Sequence, residues 1–234
     1  MQTERDAAIV EWIGRVGAAG AEHVMRRFGM GRSWTYARLR SLTADGLLEL
    51  RSVLYRQPGL YVATNQGLRW QRLGRLPAFR VSPGGFEHAR ELATAAVALH
   101  NALPGWEQHS ERDIRLLESD NRDLFASAKV GELANGAPAL HRPDLALISP
   151  DGRRVVVEVE LSVKAAGRLA AIARGYARAR HLHHVYYLAT PQAARAVHRA
   201  ITETRSTERI TVLPLDGTHA LAAAELHQGV DRAL

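Results

Sequence analysis

Apolar residues recur at helical spacing at the start of the chain. Ala7, Ile9, Val10, Ile13 and Val16 fall on one side of a helix expected over residues 6–16, and Gly17 and Gly20 end the run. A second helix is expected over 21–28 with Val24, Met25 and Phe28 inward, before Gly29 and Gly31 turn the chain. A third is expected over 34–44, capped by Ser33, with Tyr36, Leu39, Leu42 and Thr43 as its buried stripe. That register leaves Trp34, Arg38 and Ser41 on the opposite face, flanked by Arg32 and Arg40. The period then changes to two. Residues 47–54 and 60–63 read as strands around the turn Gln57-Pro58-Gly59, with Arg51 and Arg56 near its tip. Thr64 opens a short helix, and the Pro- and Gly-containing stretch 75–85 reads as a linker.

Beyond the linker a helix is expected over 86–102, then a strand running into a short helix across 106–117, carrying Glu107, Glu111 and Asp113. Residues 119–141 show no period and read as a loop or flap. Two apolar runs, 142–148 and 153–161, flank Ser149-Pro150-Asp151-Gly152 and read as an antiparallel hairpin. A helix over 163–180 capped by Ser162, a strand over 184–189, a helix over 192–204 and a strand over 209–214 complete the pattern. The succession is that of an α/β fold with a mixed central sheet, and the division falls into residues 1–80 and 84–234.

Strand alternation decides where the acids of the hairpin point. Val155, Val157, Val159 and Leu161 share one face, while Val156, Glu158 and Glu160 share the other. Glu158 and Glu160 are then roughly 7 Å apart, two strand residues along. Asp144, opening the partner strand, comes in beside them. Converging carboxylates repel and need a compensating cation, and a divalent ion held by oxygen ligands, such as magnesium, would supply it.

Composition narrows the classes. The chain has 234 residues, 46% hydrophobic, and no cysteine, so disulfides and thiolate zinc sites are excluded. No run is long and apolar enough for a membrane span, and the start lacks a signal-peptide core; a cytoplasmic protein without a membrane partner is expected. The net charge of +7 is localised: residues 1–80 hold 13 arginines against 6 acids, and the remaining 18 basic and 18 acidic residues cancel. A basic module beside a neutral one suits a polyanion-binding domain joined to something else.

Three helices followed by a basic hairpin, over residues 6–63, resemble the winged helix-turn-helix fold. The resemblance implies a double-stranded DNA partner, with homodimerisation common. It makes Ser33, Trp34, Thr35, Arg38 and Ser41 candidates for base or phosphate contact, and Arg32, Arg40, Arg51 and Arg56 for phosphate. Pro143-Asp144 with Glu158-x-Glu160 resembles the PD-(D/E)xK nuclease superfamily. That resemblance implies magnesium at Asp144 and Glu158, with Glu111 as an auxiliary acid. Glu160 stands where the family has lysine, and Lys164, four residues on, is the candidate replacement. Thr64-x-x-Gly67-Leu68, a helix bearing His88, and the run from Glu158 to Lys164 before an arginine-rich helix with Tyr176 together resemble the replication-relaxation family of plasmids and integrative elements. Two functions stay open: a DNA-binding accessory or regulatory protein of a mobile element, and a magnesium-dependent endonuclease targeted by the winged helix. A third reading is a protein-interaction module in which His181, His183 and His184 bind a metal.

Overall fold

The computed structural model describes residues 2–120 and 123–230. The chain is a mixed α/β protein that divides into two compact units, residues 1–97 and 98–234.

In the first unit, α1 (Glu4–Val16) opens on a reciprocal cap between Thr3 and Asp6. A two-residue strand β1 (Ala18–Ala19), α2 (Ala21–Phe28) and α3 (Arg32–Ala44) follow, then β2 (Leu48–Arg51), β3 (Leu60–Ala63) and α4 (Asn65–Trp70). The strands form an antiparallel sheet in the order β1-β3-β2. Ile9, Val10 and Ile13 of α1 are buried, as are Leu39 and Leu42 of α3. Gly67 is required in α4, because an added Cβ would overlap the Leu47 carbonyl oxygen that enters β2.

The third helix differs from its expected register. It begins at Arg32 behind Gly31, so Ser33 lies inside the first turn and is not the cap. Its buried stripe is Thr35, Leu39 and Leu42, whereas Tyr36 is exposed. Spacings of four and three residues bury a stripe equally well from either start, and the small Thr35 fits where a tyrosine ring would not.

Helix α5 (Phe86–Ala102) contains the division between the units. Its start packs with the first: Phe86 and Ala89 share a core with Ala18, Leu60 and Val62. The division between the compact units therefore lies within α5, after the Pro- and Gly-containing stretch.

The second unit continues through β4 (Glu107–Ser110), α6 (Glu111–Asp120), β5 (Ala128–Glu132), β6 (Pro138–His141), β7 (Leu145–Ile148), β8 (Arg154–Glu160), α7 (Ala166–Arg178), β9 (His184–Ala189), α8 (Pro191–Thr204), β10 (Ile210–Pro214) and α9 (Thr218–Val230). Its five-stranded sheet runs β10-β9-β8-β7-β4. β8, β9 and β10 are parallel, while β7 and β4 are antiparallel additions. Parallel strands need crossover helices, and α7 and α8 supply them on one face. There Val156, Val185 and Tyr187 of the sheet pack with Leu169, Ile172 and Tyr176 of α7 and Val197 and Ile201 of α8. On the other face Tyr186 donates to Glu225 of α9 at 2.9 Å. β8 is thus covered on both sides, which its valine run suits.

Three expectations need correction here. Residues 119–141 are not an irregular flap: β5 and β6 pair antiparallel across a turn in which Gly136 takes φ +78°. Asn135-Gly136 is a hairpin-turn signal that stands without flanking periodicity. Ser162 does not cap α7, whose N-cap is Ala165. The alanine-rich α9 lies beyond the last expected element.

Candidate functional site

Two groups of side chains stand out, one in each unit. On α3 of the first unit, Arg32, Ser33, Trp34, Tyr36 and Arg40 are exposed, and Ser41 is half-buried. Arginine planes lie against aromatic rings across this surface: Arg5 over Trp34 at 5.3 Å and Arg32 over Tyr36 at 5.9 Å. At the β2–β3 turn Arg56 lies 5.1 Å over the ring of Tyr55, which is 87% exposed. Stacked guanidinium groups keep their outward N–H donors available to an anion.

Two of the expected contact residues are engaged inside the unit. Thr35 is fully buried, and its hydroxyl donates to the Gly31 carbonyl at 3.0 Å. Arg38 makes a two-pronged pair with Asp6, its Nε 2.9 Å from Oδ1 and its second nitrogen against Oδ2. Burial alone would raise the Asp6 pKa, but the Arg38 and Thr3 hydrogen bonds outweigh it and hold the carboxyl below its ordinary value. Arg38 therefore ties α3 to the start of α1. Arg51 is paired with Glu49 at 2.7 Å, with both side chains about half exposed. Tyr36 and Tyr55 are the surface residues that pattern reading missed, the first through the helix-register error and the second because turn aromatics carry no periodic signal.

In the second unit Asp144, just before β7, lies at the same end of the sheet as the acids of β8. The register pairs Leu145 with Val157 and Ala146 with Val156, so Asp144, one residue earlier, continues the ladder opposite Glu158. Its Oδ2 accepts from the Val159 amide at 2.7 Å. Glu158 and Glu160 are both 3% exposed and lie on the face of the sheet that α7 and α8 cover. Glu158 Oε1 is hydrogen-bonded to His141 Nε2 at 2.8 Å and receives the Tyr176 hydroxyl. Lys164 pairs with Glu160. Glu111 does not join them: its side chain is 45% exposed and paired with Arg115 at 2.7 Å, while its backbone amide donates to the Asp144 carbonyl at 3.0 Å. Asp113 belongs to the cap of α6, accepting from the Ser110 amide and hydroxyl.

The electrostatics follow from this packing. Burial would lower the His141 pKa, but the charge and hydrogen bond of Glu158 outweigh it and raise it above the usual imidazole value. Burial, then the charge of Glu158, pushes the Tyr176 hydroxyl far up. Tyr187, the register partner of Glu158, is raised by burial and then by Glu158, Glu160 and Asp144. Like charges at this end of the sheet are thus compensated by His141 and Lys164. Among the described residues no group of three or more histidine, aspartate or glutamate side chains is arranged to hold a metal ion. Glu158 already accepts from two donors through one oxygen and Glu111 is turned away, so the residues as placed do not fit a carboxylate-held magnesium. His141 carries no signal in the sequence, because β6 lacks the periodicity of a strand.

Comparison with family models, with curated proteins and with solved structures gives no match. Of the three histidines His181, His183 and His184, His181 contacts the Ser127 carbonyl at 3.1 Å and His184 the Thr211 hydroxyl at 2.8 Å. No helix among the described residues is long and apolar enough to cross a membrane.

Proposed function

We propose that this chain is a double-stranded-DNA-binding accessory or regulatory protein of a plasmid or integrative element, active in replication, relaxation or mobilisation. In this reading residues 1–80 act as a winged helix-turn-helix and residues 84–234 as a nuclease-like scaffold. The observation that carries it is the exposed face of α3, where Arg32 and Arg40 stand beside Trp34 and Tyr36 in the segment that holds the whole positive surplus of the chain. A helix presenting arginines and aromatics is suited to a duplex groove, and Arg56 at the strand turn to the neighbouring backbone. Arg38 and Thr35 serve that surface from beneath, by holding α3 in place.

The test is duplex binding by fluorescence anisotropy over a range of salt. The logarithm of affinity should fall linearly with the logarithm of salt concentration. Replacing Arg32 and Arg40 together by alanine should reduce the slope by about 2 if both contact phosphate, at about 0.9 per contact. Binding that ignores salt, or a double variant with the parent slope, would overturn the reading.

A second reading, a magnesium-dependent endonuclease, draws on Asp144, Glu158 and Glu160 at one end of the sheet, with Lys164 beside Glu160. Against it, the residues as placed do not fit the ion. Supercoiled plasmid incubated with magnesium and the protein separates the two readings. Nicking that disappears in Glu158→Ala supports the endonuclease, and intact plasmid with the parent protein counts against it.

A further inference from the structure

The second unit is close to neutral, yet its charges are segregated. Between residues 164 and 209 the chain carries one lysine, eight arginines and only two acids, Glu203 and Glu208. Two of these basic residues have internal partners. Lys164 pairs with Glu160, and Arg209 donates to the Ala179 and Leu182 carbonyls. The other seven arginines, 168, 174, 178, 180, 195, 199 and 205, are placed mostly by α7 and α8.

Helix geometry gathers four of them. On α7 the buried side is Leu169, Ile172, Ala173 and Tyr176, which leaves Arg174 and Arg178 outward and four residues apart. On α8 the buried side is Ala193, Val197, Ala200 and Ile201, which leaves Arg195 and Arg199 outward at the same spacing. The two helices pack on the same sheet face, and both return from the same end of parallel strands, so they run side by side in one direction. Arg174 and Arg199 each stand eight residues into their helices, roughly 12 Å along them at 1.5 Å per residue.

Arg174, Arg178, Arg195 and Arg199 are exposed, and none has an ion pair, hydrogen bond or ring partner among the described residues. Like charges four apart on a helix cost stability, and the one acid within α7 and α8, Glu203, four residues beyond Arg199, forms no ion pair with it among the described residues. None of the large exposed apolar side chains among the described residues lies on α7 or α8, so the face offers charge without the apolar insertion of a membrane-surface helix.

We infer that the outer face of α7 and α8 is a second nucleic-acid-binding surface, holding a phosphodiester backbone through Arg174, Arg178, Arg195 and Arg199. The choice of nucleic acid over another polyanion rests on the DNA-binding reading of the first unit. The surface itself rests on the segregation of charge in the second. A chain with two such faces would hold two backbone segments at once.

The test uses the full chain, a duplex of arbitrary sequence and vesicles of anionic lipid. Arg174→Gln, Arg178→Gln, Arg195→Gln and Arg199→Gln are combined, and a pair variant carrying only the first two changes is kept in reserve; far-UV circular dichroism confirms folding. The expected result is a salt slope lower than that of the parent by about 2 to 4, at about 0.9 per lost phosphate contact, with vesicle binding unaffected. A parent slope in the combined variant overturns the inference, and so does a loss confined to vesicles. The Arg32→Ala/Arg40→Ala variant, measured beside it, keeps the two claims apart. If only that variant loses slope, the second surface falls and the first stands. If only the arginine-to-glutamine variant does, the first-unit reading falls and the second surface stands. A parent protein that binds no duplex removes both.

Discussion

Replacing Arg38 by alanine should destabilise the first unit. The guanidinium is held against Asp6, whose side chain is fully buried, and its removal leaves that carboxylate with only the Thr3 amide and hydroxyl as donors. Breaking a buried pair from one side costs about 3–5 kcal/mol, because the surviving charge stays desolvated. Arg38 is itself 24% exposed, so water can partly replace it and about 2 kcal/mol is the better expectation. For a unit of under a hundred residues that corresponds to a fall in melting temperature of about 8–16 °C.

The assay is urea unfolding followed by tryptophan fluorescence, which favours this unit because Trp12, Trp34 and Trp70 lie in it and only Trp106 lies outside. The pH dependence is a second check. The Asp6 carboxyl has a depressed pKa, so the stability it contributes is complete above the ordinary carboxylate value and is lost as pH falls through the folded one. The gap between parent and variant should therefore be full at pH 7 and close in strong acid. Arg38→Ala with parent stability and weakened duplex binding would refute the reasoning, showing that the arginine is free to reach a base.

His184 is held mostly neutral by burial, then by His183 and Arg209, with its pKa pushed down to about 4, so the unfolded chain binds the proton first. Stability should fall as pH drops from about 6.5 toward 4, by about 1–2 kcal/mol once the ring's partial exposure is allowed for, and His184→Gln should flatten that part of the curve in a thermal-melt series. Gly67→Ala should destabilise the first unit by about 2 kcal/mol or more despite alanine's better helix propensity, since its methyl overlaps the Leu47 carbonyl; chemical denaturation measures it, and a neutral result would mean that α4 can shift.

Much of the architecture was legible along the chain. Ile9, Val10 and Ile13 announce a helix, Val155 to Val159 a strand buried on both faces, and the alternation through Glu158 and Glu160 puts both acids on one side of it. These are local properties, because side-chain direction repeats every 3.6 or 2 residues whatever the rest of the chain does. The concentration of arginine in residues 1–80 is likewise a property of the sequence alone. Tertiary structure decided which partner each charge receives. Asp6 and Arg38 are 32 residues apart and His141 and Glu158 are 17 apart, so no periodicity links them. An ion pair depends on where two elements come to rest, and that position is set by the packing of all the others. Packing alone thus turned Arg38 from an expected reader of DNA into a brace, and the acids of β8 from an open ligand set into a cluster closed by histidine, tyrosine and lysine.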